Sequence, residues 1–273
     1  MNFANAAWGF RETPLEEQFR ITADMGLSIL EIGIANADGD IPLDVSDDEL
    51  LKVKEMAKSY GVNILAAATG NDFTTGSEDV GKIKRVIDIC STVGIPNLRI
   101  FAGFTPLEKL TEEAIECAKN ALFEVCVYAY EKNVTPVIET HGAVDCYDDG
   151  VVHIMSSTTD LKTLKDILNS LPDNAGICFD PANLYAVGIK KPEEFYNEIK
   201  NRVVYAHFKD FKPLQSGHIK PSYCGDSDMD WDAILRAMKD FDGFCAFEYE
   251  NTEDIKDGLI KCSDYITERI EKL

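Results

Sequence analysis

The chain has 273 residues, with 27 Lys and Arg set against 48 Asp and Glu, giving a formal net charge of −21. That balance argues against a nucleic-acid partner, because binding through phosphates depends on basic charge that releases counterions, and no basic patch interrupts the acidity. A hydrophobic fraction of 45% beside 27% charged residues is that of an ordinary globular chain, long enough to bury a sizeable core.

The sequence opens on Met1-Asn2-Phe3-Ala4-Asn5, without the basic start and apolar run of an export signal. It nowhere approaches the roughly 18 apolar residues of a membrane span, so a soluble, cytoplasmic protein with no membrane partner is expected. Short β-like runs then alternate with longer amphipathic stretches. Strand 3–7 is followed by helix 14–25, strand 28–34 by helix 47–60, strand 63–68 by helix 80–93 and strand 97–101 by helix 111–132. Strand 135–139 precedes helix 160–169, strand 175–180 precedes helix 192–199, strand 203–208 precedes helix 231–239, and strand 244–248 precedes helix 255–270. Thr13-Pro14, Ser46-Asp47 and Thr159-Asp160 supply helix starts, and Gly26, Gly61 and Gly94 supply stops. No Ser/Pro/Gly-rich linker divides the chain, which reads as one domain over 1–273. Eight strand–helix repeats predict a single (β/α)8 TIM barrel. An open doubly wound sheet usually has fewer strands and wants a Gly-rich phosphate loop after the first, where Asn5-Ala6-Ala7-Trp8-Gly9 stands instead. The eight cysteines are scattered singly, with no C-x-x-C pair, as expected for reduced thiols.

A TIM barrel carries its chemistry at the C-terminal ends of its strands. The last four predicted strands all end in metal-ligand residue types: Glu139, Asp180, His207 and Glu248, spaced 41, 27 and 41 residues apart. Those spacings are close to whole strand–helix units, so the four should face one another around the rim. Three converging carboxylates repel and resist ionising together unless a cation joins them. Oxygen donors with one imidazole and no thiolate suit one divalent metal: Mn²⁺, Mg²⁺ or Co²⁺, with Zn²⁺ also admitted.

Several segments, taken in order, resemble the xylose-isomerase-like barrels, which include sugar-phosphate isomerase/epimerase homologues, inosose isomerases and dehydratases, ketose 3-epimerases and apurinic endonuclease relatives. They are Met25-Gly26-Leu27-Ser28-Ile29-Leu30-Glu31, Ile138-Glu139-Thr140-His141-Gly142, Phe179-Asp180-Pro181-Ala182-Asn183, Ala206-His207-Phe208-Lys209-Asp210, Tyr223-Cys224-Gly225-Asp226 with Trp231, and Phe247-Glu248-Tyr249-Glu250. The resemblance covers essentially the whole chain. It implies that Glu139, Asp180, His207 and Glu248 hold one divalent metal that chelates two oxygens of a keto or hydroxy-keto sugar. It further implies proton abstraction α to a carbonyl through a metal-stabilised enediolate, with Glu139 and Glu248 as first candidates for base and acid. The endonuclease branch carries a histidine three residues after the Asp180 position, where this chain has Asn183, so a three-metal site is not expected. Lys209 and Asn183 also depart from the ketose epimerases and place the chain nearer the inosose-processing homologues.

The remaining candidates each carry two readings. His141 is a second-shell or substrate contact, or a loop histidine. Lys209 lies two residues beyond His207 and so points the same way, toward a substrate oxyanion or a proton, unless it is a surface lysine paired with Asp210. Arg99, inside a strand, binds substrate or forms an internal ion pair with Glu31, and Glu31 is itself taken as a substrate-side candidate. Trp8 stacks on an apolar sugar face or packs at the rim. Asn183 meets a substrate hydroxyl or stabilises its own turn. His153 and His218 have no partner visible in the sequence. Asp38, Asp40, Asp44, Asp47, Asp48 and Glu49 read as a solvated loop and first helical turn, suited to the positive end of a helix dipole. The sequence thus predicts a metal-dependent isomerase or epimerase acting on a sugar, keto-sugar or cyclitol. The alternatives are a lyase or dehydratase on a 3-keto-glycoside or inosose at the same site, and a noncatalytic sugar-binding barrel.

Overall fold

In the computed structural model, which describes residues 1–37 and 40–273, the chain order is β1 (Asn2–Asn5), α1 (Leu15–Asp24), β2 (Ile29–Gly33), α2 (Asp47–Tyr60), β3 (Asn63–Ala68), α3 (Asp79–Val93), β4 (Asn97–Ile100), α4 (Glu112–Glu131) and β5 (Thr135–Glu139). A hairpin follows, β6 (Ala143–Tyr147) and β7 (Gly150–Ile154), and then α5 (Leu161–Asn169), β8 (Gly176–Phe179), α6 (Pro181–Ala186), α7 (Pro192–Ile199) and β9 (Val203–Phe208). A second strand pair, β10 (Asp210–Pro213) and β11 (Ile219–Ser222), precedes α8 (Trp231–Ala237), β12 (Phe244–Phe247) and α9 (Ile255–Ile270).

Eight parallel strands close in the order β1-β12-β9-β8-β5-β4-β3-β2, and β2 pairs back onto β1 through Asn5 and Leu30. This is the predicted (β/α)8 barrel. The glycines at 26, 61 and 94 adopt φ of +72°, +67° and +89°, the left-handed turn that reverses each helix toward its next strand without a side-chain penalty. Ser46 and Glu49 form a reciprocal capping box at the start of α2, and Asp160 caps α5 through the Thr163 amide. Pro14 is the N-cap of α1 rather than its first helical residue. Of the acidic stretch, Asp38 lies outside the described residues. Asp40 is not a solvated loop residue, since its carboxylate accepts from the Asn36 and Ala37 amides at 2.9 and 2.8 Å.

Apolar side chains fill two spaces. The larger core lies between the helices and the outer faces of the strands, and a smaller cluster of Ala4, Ala6, Ala66, Val137, Cys178, Tyr205, Phe244 and Ala246 fills the barrel interior. The sequence reading missed the accessory antiparallel sheet of order β10-β11-β7-β6, built from the insertions after β5 and β9. It also missed α6, which starts directly after Asp180. All eight cysteines are free. No helix among the described residues is long and apolar enough to cross a membrane.

Candidate metal centre

Strand alternation builds the site in layers, because residues i, i+2 and i+4 point to one face. On β5, β8, β9 and β12 the interior apolar residues are Val137, Cys178, Tyr205 and Ala246. Two residues further on come Glu139, Asp180, His207 and Glu248, all buried, each offering a ligand atom within 4.8 Å of the others. Two residues beyond those, His141, Lys209 and Glu250 line a cavity at the barrel mouth. The same step takes Arg99 to Phe101 on the cavity wall, and Trp8, in the turn after β1, lines the cavity as well.

His207 Nε2 donates to Glu31 Oε2 at 2.6 Å. That bond orients the ring and sets Nδ1 3.6 Å from Glu139 Oε1 and 3.3 Å from Glu248 Oε1. Neither Nδ1 nor Asp180 Oδ2 has a hydrogen-bond partner among the described residues, although both are buried. Buried polar atoms normally form hydrogen bonds, so these two, converging with two more carboxylates, fit a divalent cation. Each ligand is held from behind. Asn183 Nδ2 donates to Glu139 Oε1 at 3.0 Å, and Arg99 Nε stands 3.3 Å from Glu139 Oε2. Lys209 Nζ reaches Glu248 Oε2 at 2.6 Å, Glu250 Oε1 at 2.8 Å and Asp180 Oδ2 at 3.2 Å.

The protonation states follow from these contacts. Burial opposes the charge on Glu139, but Arg99 and His207 outweigh it and hold the carboxyl below its usual range. Asp180 is pushed up to about 7 by burial, which Lys209 offsets only in part. Burial also works against the Lys209 ammonium, yet Asp180, Glu248 and Glu250 together keep it charged. His141 is lowered by burial, and its Nδ1 donates to the Gly142 carbonyl at 2.6 Å, so Nε2 remains an acceptor.

Glu139, Asp180, His207 and Glu248 come together as the spacing predicted, and His141, Lys209, Arg99 and Trp8 line the adjoining cavity. Glu31 and Asn183, expected to meet substrate, are placed otherwise: both are fully buried, Glu31 behind His207 and Asn183 behind Glu139. Arg99 pairs with Glu139 rather than Glu31. Lys209 is not a surface partner of Asp210, whose carboxylate instead accepts from Trp231 Nε1 and the Gly225 amide. Arg11, Glu250 and His153 also line the cavity and were missed. For Glu250 the signal was present, since it stands to Glu248 as Lys209 stands to His207. His218 pairs with Asp149 at 2.6 Å, away from the cavity lining.

A family model described as xylose isomerase-like TIM barrel matches residues 19–266. Among solved structures, the chain superposes on the probable 3-DHS dehydratase AsbF of petrobactin synthesis from Bacillus anthracis with a TM-score of 0.79 and 14% identity, covering 98% of this chain and 99% of that one. An L-ribulose 3-epimerase gives 0.79 and 14% identity over 100% and 95%. A xylose isomerase domain protein from Planctomyces limnophilus gives 0.73 and 17% over 99% and 96%. At these identities the likeness is one of fold. No curated protein sequence matches.

Proposed function

The chain belongs to the xylose isomerase-like TIM barrel family, and from that membership we propose that it is a metal-dependent enzyme that isomerises or epimerises a sugar, keto-sugar or cyclitol by proton abstraction α to a carbonyl. The observation that carries this reading is the convergence of Glu139, Asp180, His207 and Glu248 in a buried setting, where His207 Nδ1 and Asp180 Oδ2 form no hydrogen bond and meet only charged neighbours at 3.2 to 3.6 Å. These four residues would hold one Mn²⁺, Mg²⁺ or Co²⁺, the oxygen-rich donor set disfavouring softer ions. When bound, the ion supplies Lewis-acid polarisation of a carbonyl.

The side chains do the rest. Glu139 and Glu248 are assigned as base and acid, since each reaches the cavity while its second oxygen is gripped, by Arg99 and Lys209 respectively. Lys209, kept charged by its carboxylate neighbours, donates to developing negative charge rather than accepting a proton. His141 offers Nε2 to a substrate hydroxyl. Asn183 and Glu31 act as positioning residues, orienting Glu139 and His207. A lyase is the second reading, in which the same abstraction is followed by loss of a leaving group. Glu250 supports it, as a further carboxylate in the cavity beyond the ligand set.

Elemental analysis of the chain after chelation and reloading tests the metal, and deuterium exchange from D₂O into a panel of ketoses and inososes tests the chemistry. About one ion per chain is expected, lost in Glu139→Ala. Glu139→Gln and Glu248→Gln should each slow exchange by about 10²-fold or more, the usual worth of a general acid or base. A chain that retains no ion under any loading overturns the proposal.

A further inference from the structure

The cavity is lined by two unlike sets of residues, and the chemistry proposed above uses only one. Its volume is about 510 Å³, inside the range of about 300–1,000 Å³ of pockets that enclose drug-sized ligands. One set is the polar floor of Glu139, His141, Lys209, Glu248 and Glu250. The other is an apolar wall of Phe101, Phe104, Val144, Val151, Phe211 and Pro221. Four of those six belong to the accessory sheet, one on each of its strands. The Phe101 and Phe104 rings meet at 4.6 Å, and both present to His141 at 5.3 and 5.4 Å. Hydroxyl groups pressed against such a wall lose their hydrogen bonds to water and gain none.

Charge restricts the ligand as well. Five carboxylates, those of Glu31, Glu139, Asp180, Glu248 and Glu250, face Arg99, Lys209 and the His207 ring within the buried cluster, and the ring is neutral when it ligates a metal. Arg11, stacked over the Trp8 ring at 5.0 Å, and a divalent ion bring this set only to neutrality. A phosphate would meet no net positive charge there.

We propose that the substrate is an uncharged two-part molecule: a polyhydroxylated ring over the carboxylate floor, joined to a flat apolar group, aromatic in the simplest case, seated against the accessory-sheet wall. This rests on reading the floor as a sugar-binding metal site and adds what the wall binds. Flat rings suit the wall because aromatic and β-branched side chains meet them face-on or edge-on with the area they need.

Isothermal titration of the metal-loaded chain with phenyl β-D-glucopyranoside, methyl β-D-glucopyranoside and D-glucose 6-phosphate tests this. The phenyl glucoside should bind at least about tenfold tighter than the methyl one, the worth of burying one aromatic face, and the phosphate should bind weakest. Val151→Asp on β7 should erase the phenyl preference, and so should Phe104→Ala, which leaves the accessory sheet unaltered. Equal affinities for the two glucosides, binding of neither to a chain that holds its ion, or preference for the phosphate each overturn the proposal. A chain that holds no metal yet keeps the tenfold preference sinks the metal-enzyme reading and leaves this one standing. One ion per chain without the preference does the reverse.

Discussion

At the scale of single residues, the two partners of the His207 ring carry different burdens. Nδ1 faces the ligand carboxylates, whereas Nε2 is tied to Glu31, so Glu31 sets the ring's orientation without touching the cavity. Glu31→Gln is expected to weaken metal affinity about 10–100-fold, as for other partners of metal-bound histidines, while circular dichroism stays unchanged; chelator competition measures the loss. Unaltered affinity would remove Glu31 from the site. His153 gives a separate prediction. Burial, reinforced by His141 and Lys209, lowers it from 6.5 to about 3. In the unfolded chain it protonates as pH falls through 6.5, while in the folded chain it stays neutral to about 3, so its burial costs nothing at pH 7 and progressively more below 6.5. At pH 5 the cost is about 2 kcal/mol. Urea unfolding at pH 7 and pH 5 should therefore show His153→Leu losing about 1–2 kcal/mol less than the parent over that interval, and an equal loss in both proteins would contradict the assignment.

At the scale of elements, capping chemistry is open to the same kind of test. Ser46 accepts from the Glu49 amide and receives the Glu49 carboxylate on its own amide, so Ser46→Ala should destabilise the barrel by about 1 kcal/mol without altering metal content. That capping box, and the glycine stops at 26, 61 and 94, are local signals, which is why all eight barrel strands and one helix after each of them were legible in the sequence. The ligand set was legible for a related reason, since residues ending successive barrel strands must share one rim. What escaped was non-local or masked by a stronger pattern. Asp180-Pro181 carries the N-cap and N1 proline of α6, but the Asp180 side chain reads first as a metal ligand. The β6–β7 hairpin turns at Asp148-Asp149, with Gly150 already paired to Tyr147, and lies hidden inside the long connection after β5. Missing that sheet also hid the cavity wall, and with it the packing of His153 against His141 and Phe211. Glu31 on β2 and Asn183 in α6 stand behind His207 and Glu139, and position in the sequence does not say whether a side chain faces the cavity or stands behind the residue that does.

At the scale of the whole molecule, the charge of −21 and the buried carboxylate cluster pull stability in ways that salt and metal separate. Surface repulsion among acidic groups is long-ranged and screened within about 8–10 Å at ordinary ionic strength, so added KCl should raise the melting temperature of the metal-free chain. The buried cluster is shielded from that screening, and only a bound ion relieves it. Divalent metal at about 100 times its Kd should add about 2.7 kcal/mol by mass action, which for a chain of this size is roughly 5–10 °C in melting temperature. Because a negative field draws cations inward, the rate of metal uptake should fall as KCl rises, even as the metal-free barrel becomes more stable. Calorimetry of the parent and Glu139→Ala at low and high KCl distinguishes the two contributions. Both proteins should gain from salt, and only the parent should gain from metal. A metal-induced rise of the same size in Glu139→Ala would place the bound ion on the acidic surface and take the barrel-mouth cluster out of the account.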